Sequence, residues 1–175
     1  MKQTKLFTPT LLVLAAASIW LAACASKRTV EYTIADVDLI AEGPLFEGAN
    51  TAQATHSFDP DKLKDLLGAY PGQIVAVRLV AAELSLPDTL NFDIANEITL
   101  QLAADNAPMQ KVAVLNPVPK GARSVALQAA AAQKGVDRLF KQSAMYLVAD
   151  INLNADHDND LALRGNFKFE IVVKN

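Results

Sequence analysis

Cysteine is almost absent from this chain: Cys24 is the only one in 175 residues. A lone cysteine excludes an internal disulfide framework and a Cys-rich zinc site. Histidine is nearly as scarce, with only His56 and His157, which argues against a multi-histidine metal centre. Basic residues are scattered and not interleaved with aromatics, and with 16 Lys+Arg against 19 Asp+Glu the net charge is −3. That balance gives no nucleic-acid surface. There is no Gly-x-Ser-x-Gly elbow, no P-loop and no Gly-x-Gly-x-x-Gly run, so the common nucleophile and phosphate-cradle signals are missing. No Ser/Gly/Pro-rich linker and no internal repeat divide the chain, so one domain is expected. A hydrophobic share of 51% is too high for a disordered polymer.

What is present begins with the first two dozen residues. Lys2 and Lys5 form a short basic head, an apolar stretch runs from Leu11 to Ala23 broken only by Ser18, and small residues surround Cys24. Basic head, short apolar middle and small-residue exit make a secretory signal peptide over residues 1–23. Two other readings fit the same residues: an uncleaved membrane anchor, and ordinary cleavage around Ala23 and Cys24.

Leu21-Ala22-Ala23-Cys24 resembles the lipobox of bacterial lipoprotein precursors. That resemblance implies cleavage between Ala23 and Cys24, a diacylglycerol group on the Cys24 thiol, and usually a further acyl chain such as palmitate on the new amino terminus. Removing 23 of the 175 residues leaves 152, takes away Lys2 and Lys5, and moves the net charge from −3 to −5. Cys24 would then be blocked by lipid, and the domain would have no thiol chemistry. Ala25 is not the aspartate that holds enteric-type lipoproteins at the inner membrane. The implied location is the cell envelope: the outer membrane, facing the periplasm, in an organism with two membranes. Residues 24–28 make a short tether, which keeps a domain over residues 29–175 close to the bilayer. Lys27 and Arg28 would then lie near lipid headgroups.

The remaining chain reads as β-structure. Leu161, Leu163, Phe167, Phe169, Ile171 and Val173 share one parity, and Met145, Leu147, Ala149, Ile151 and Leu153 repeat the pattern. Each is a strand with one buried face. Gly165 marks a bulge or bend. Phe92, Ile94, Ile98, Leu100 and Leu102 form another face. Ile74–Leu86 is apolar on both parities except for Arg78 and Glu83, and suits a strand covered on both sides. Val30–Glu42 switches parity at Ala35-Asp36, which suggests a bulge. Lys111–Leu115, Arg123–Ala129 and Thr51–Phe58 are weaker strands. Asp59-Pro60 opens one helix; Ala129–Gln142 is the second, weakened by Gly135. The expected fold is mainly β: an antiparallel β-sandwich of about seven to eight strands with two short helices. The alternative is a lipocalin-like β-barrel, which the loss of Trp20 with the signal peptide disfavours, since that family usually keeps a tryptophan near its first strand.

Candidate sites are few. Asn154, Asp156, Asp158 and Asp160 alternate along a polar hairpin loop, a spacing that can wrap calcium. The EF-hand pattern fails, and a solvated turn explains the same residues. His56 shares parity with Ala52, Ala54 and Phe58 and so points inward, either as a structural histidine or as a general base beside Asp59 or Ser57. His157 lies in the acidic loop. Leu45 and Phe46 sit in a Gly/Pro-bounded loop, either as a contact for a partner or ligand or as a plug folded over the end of the sandwich. No catalytic residue and no cofactor beyond the covalent lipid is expected.

The functional expectation is a non-catalytic binding, scaffolding or assembly module, held to the membrane by its lipid and facing an envelope protein partner. The alternatives are a carrier of a small hydrophobic ligand and a hydrolase whose site is assembled from distant loops.

Overall fold

A computed structural model of the protein describes residues 26–87 and 89–174. The signal peptide, the cleavage pair Ala23 and Cys24, and the lipidation site all lie outside the described residues. The strands are β1 (Lys27–Ala41), β2 (Gly48–Ser57), β3 (Ile74–Ser85), β4 (Ala95–Ala104), β5 (Ala107–Leu115), β6 (Ser124–Ala129), β7 (Ala144–Leu153) and β8 (Leu161–Lys174). Helices α1 (Pro60–Leu67) and α2 (Val136–Leu139) lie between them.

The mainly β fold with antiparallel strands and two short helices is as the patterning implies. The sheet, however, closes into a barrel, in the order β1-β2-β7-β4-β5-β6-β3-β8. Closure sets the strands that would be the free edges of an open sandwich beside one another. Strands pair in nested fashion, β1 with β8, β2 with β7, β3 with β6 and β4 with β5. This is one long ribbon folded back and rolled up, the jelly-roll arrangement rather than the up-and-down order of a lipocalin. Two seams are thin. β1 meets β2 only at Ile40↔Gln53, and β5 meets β6 only at Ala113↔Ala129 and Val114↔Gln128. By contrast, β1 pairs with β8 from Lys27 to Ala41.

Alternation builds the core. In β8 the odd positions Leu161, Leu163, Phe167, Phe169, Ile171 and Val173 are buried, and they join β1, β3, β4 and β7 in one continuous apolar cluster. The parity switch in β1 is a bulge between Ile34 and Val37, where Asp36 has φ +53° and its N–H donates to Asn166 Oδ1 at 3.1 Å. Gly165 continues the ladder, paired with Val37 and Leu84. Its lack of a side chain makes room for a neighbour: a Cβ there would lie 2.4 Å from the ring of Phe167.

Three local expectations are corrected. β3 is covered on one side only, with Ala76, Arg78, Ala81 and Glu83 exposed; alanines on the outer face mimic a doubly buried strand. Phe92–Ile94 forms a 3-10 turn ahead of β4 instead of its first residues. The second helix does not span Ala129–Gln142. Ala129 completes β6, the Ala130 N–H donates to the Val112 carbonyl at 2.7 Å, and only Val136–Leu139 is helical after Gly135 at φ +81°. The intervening Gln133 acts as a surrogate strand. Its Oε1 accepts from the Leu79 N–H at 2.8 Å, and its Nε2 donates to the Leu79 carbonyl at 2.9 Å. β3 has a bulge between Leu79 and Ala81, and its pairing with β6 starts only at Ala82. One amide side chain thus satisfies both backbone groups of Leu79.

α1 follows its sequence signals. Asp59 accepts from the N–H groups of Asp61 and Lys62 as N-cap, Pro60 occupies the first turn, and Gly68 closes the helix in the left-handed region.

Candidate functional site

Antiparallel closure sorts every connection to one of two barrel ends. One end gathers the start of β1, the end of β8, the segment 58–73 with α1, the turn 105–106 and the segment 130–143 with α2. The opposite end gathers the loops 42–47, 116–123 and 154–160 and, between β3 and β4, residues 86–87 and 89–94. Charge is divided between them. The first end carries the cations Lys27, Arg28, Lys62, Lys64, Lys134, Arg138, Lys141 and Lys174 against the anions Asp59, Asp61, Asp65, Asp105 and Asp137. Among the described residues, the second end carries Glu42, Glu47, Asp93, Asp156, Asp158 and Asp160 against Lys120 and Arg123. The chain enters the domain at the cationic end.

At the acidic end, the two singled-out loops clasp each other. Leu45 and His157 form an isolated antiparallel bridge, with N–H···O distances of 2.8 and 2.9 Å. Asp156 Oδ1 accepts from the Glu47 N–H, and Asp160 Oδ1 accepts from the Gly43 N–H, each at 2.8 Å. Asn154 Nδ2 donates to the Asp93 carbonyl. These side chains are exposed, and among the described residues no group of three or more acidic, His or Cys side chains is placed to hold a metal ion. Leu45 and Phe46 part company. Leu45 is 5% exposed and plugs the barrel end, so it is not available as a contact; Phe46 is 65% exposed.

The other histidine sits where β1 and β2 diverge. Tyr32 Oη and His56 Nε2 lie 2.8 Å apart and share a hydrogen bond. Phe58 packs against both rings, and Phe140, just after α2, meets Tyr32 and Phe169 edge to face and Phe58 at a tilt. Burial lowers the His56 pKa and raises that of Tyr32, because it disfavours the charged form of each. Asp59 and Ser57 are not its hydrogen-bond partners in this arrangement. Sequence parity correctly turned His56 inward, but the Tyr32 partnership, 24 positions away, was not legible. A His–Tyr pair walled by phenylalanines, with no carboxylate on it, suits packing better than proton transfer.

Concavities open on the outside of the barrel. One of about 390 Å³ is lined by Asp38, Ile40, Ser85 and Arg164, and one of about 240 Å³ by Thr33, Ala81, Ala126 and Lys168. The barrel interior is occupied by the apolar cluster itself.

At the cationic end, a side chain from the start of β1 reaches the C-terminal cap of α1. The Arg28 guanidinium lies against Gly68, 2.7 Å from where a Cβ would stand. Lys64 Nζ sits 4.6 Å from the centre of the Tyr70 ring. Gln73 Nε2 donates to the Lys174 carbonyl at 3.3 Å, and Lys27 is in register with Lys174. Tyr70 is 64% exposed, and Leu66 and Val75 are exposed beside it in sequence.

No family model matches the chain, and no curated protein matches it. Among solved structures, the chain is similar to Cocksfoot mottle virus at 9% identity, over 99% of this chain and 96% of that one. The TM-score of 0.33 is too low for that likeness to carry an argument about function.

Proposed function

We propose that the protein is a lipid-anchored bacterial cell-envelope protein: a non-catalytic binding, scaffolding or assembly module tethered through Cys24. The observation that carries this reading is Leu21-Ala22-Ala23-Cys24 behind an apolar run and a basic head. In a bacterium with two membranes, the location is the periplasmic face of the outer membrane. One acyl chain holds only marginally, and two or more hold stably.

The filled interior favours a scaffold over a carrier, which needs an apolar cavity of several hundred cubic ångströms. The thin seams favour reading the barrel as a flattened one: β1-β8-β3-β6 and β2-β7-β4-β5 are two four-stranded layers facing each other, close to a sandwich. A partner would meet an outer face, where Phe46 and the concavity beside Arg164 offer exposed contacts.

Palmitate labelling and intact mass of the native protein test the anchor. The expected result is a diacylglyceryl group on an amino-terminal Cys24 and no label in Cys24→Ala. An unmodified mature terminus, or release from vesicles without detergent, overturns the proposal.

A further inference from the structure

We propose that the cationic end of the barrel, with Lys27, Arg28, Lys64, Lys174 and the exposed Tyr70, is a membrane-facing surface that takes anionic lipid headgroups. This rests on the lipid-anchor reading for its setting, but its evidence is separate, because it lies in the folded domain.

Three observations converge. First, the cations are gathered by the fold, not by sequence: Arg28 lies on the C-terminal cap of α1, Lys64 lies over Tyr70, and Lys174 pairs with Lys27 across β1 and β8. Second, the two barrel ends are opposite in charge. On an anionic surface this dipole turns the acidic loops 42–47 and 154–160 away and the cationic end inward. Third, Tyr70, Leu66 and Val75 expose apolar or amphipathic groups at this end, and tyrosine favours the interface where one side is apolar and the other wet. Asp65 shares the surface with Lys64 and Tyr70, so the pull comes from the summed charge of the end. The chain enters the domain at β1 on this same end, so a short tether would bring this surface to the bilayer first.

The test uses the protein purified from a lipidating bacterial host, carrying Trp20→Phe so that Tyr70→Trp, or Phe46→Trp at the opposite end, is its only tryptophan whether or not residues 1–23 have been removed. The protein is mixed with vesicles of brominated phosphatidylcholine, with or without phosphatidylglycerol. Expected is bromine quenching of the residue-70 probe on phosphatidylglycerol vesicles, little on phosphatidylcholine alone, and none of the residue-46 probe. Raised salt should remove the quenching without unfolding anything. Lys27→Gln with Lys174→Gln should weaken it, while flotation with vesicles persists. Equal quenching at both probes, none at residue 70 in protein that floats, or indifference to both salt and substitution overturns the proposal. If the chain fails to float with phosphatidylcholine, the anchor reading falls instead. The surface then stands only if phosphatidylglycerol vesicles alone bind the chain, with each neutralised cation costing about fivefold in partitioning.

Discussion

Tyr32 and His56 join β1 and β2 at the place where the two strands stop pairing. Backbone contact ends at Ile40↔Gln53, and beyond it the Oη–Nε2 bond of 2.8 Å and the rings of Phe58 and Phe140 fill the opening. The barrel is therefore closed partly by side chains, and one of its two thin seams carries a titratable group.

That placement makes stability depend on pH. Burial lowers the folded-state pKa of His56 below its ordinary value near 6.5, so the unfolded chain binds the proton more readily. The stabilisation is complete above the unfolded pKa and is lost as pH falls through the folded one. Melting temperature should fall as pH drops from 7.5 toward 5, and His56→Gln should flatten that fall. An unchanged slope in the variant would assign it to other groups.

Gly165 and Phe167 make a second testable relationship. A Cβ at position 165 would stand 2.4 Å from one ring atom of Phe167 and 3.0 Å from Leu39. Gly165→Ala should destabilise by about 1–3 kcal/mol in urea unfolding, the usual cost of overpacking. Adding Phe167→Leu should recover part of the loss, because the ring is the obstacle. Additive losses in the double variant would point to the backbone instead.

Much of this fold was legible because strand alternation reports burial directly. β7 and β8, the bulge at Ala35-Asp36 and the capped α1 all follow from local pattern. What was hidden depends on partners far along the chain. Alanines on the outer face of β3 looked like a second buried face. Ala129–Gln142 read as a helix because nothing local shows that Gln133 is claimed by Leu79. The closure of the sheet into a barrel at the β1–β2 and β5–β6 seams also leaves no mark in local pattern. At the candidate sites, parity turned His56 inward, but a tyrosine 24 residues earlier gives it its role. The cationic end is likewise invisible in a chain whose charges are mixed throughout.

Gln133 offers a measurement of that hidden contact. Gln133→Ala leaves the N–H and carbonyl of Leu79 without their partner. The loss should be about 1–3 kcal/mol if these groups stay dry, and less if water enters. Hydrogen exchange at the Leu79 amide should accelerate well beyond the change at Leu84, whose strand is paired on both sides there. Equal acceleration at both would mean that the substitution acts on global stability alone.

The clasp at the acidic end sets opposite expectations for two adjacent residues. Leu45 is buried as a plug, so Leu45→Ala should cost about 2–5 kcal/mol, whereas Phe46→Ser at an exposed position should stay within about 0.5 kcal/mol. The same geometry bears on calcium, since Asp156 and Asp160 each already have an oxygen engaged by a backbone N–H. Millimolar calcium should leave the melting temperature where chelator leaves it. Asp160→Asn, which keeps an acceptor oxygen for the Gly43 N–H, should be milder than Asp160→Ala in both conditions. A calcium-dependent rise that disappears in Asp160→Asn would show instead that the loop opens around an ion, and that the clasp is only one of its arrangements.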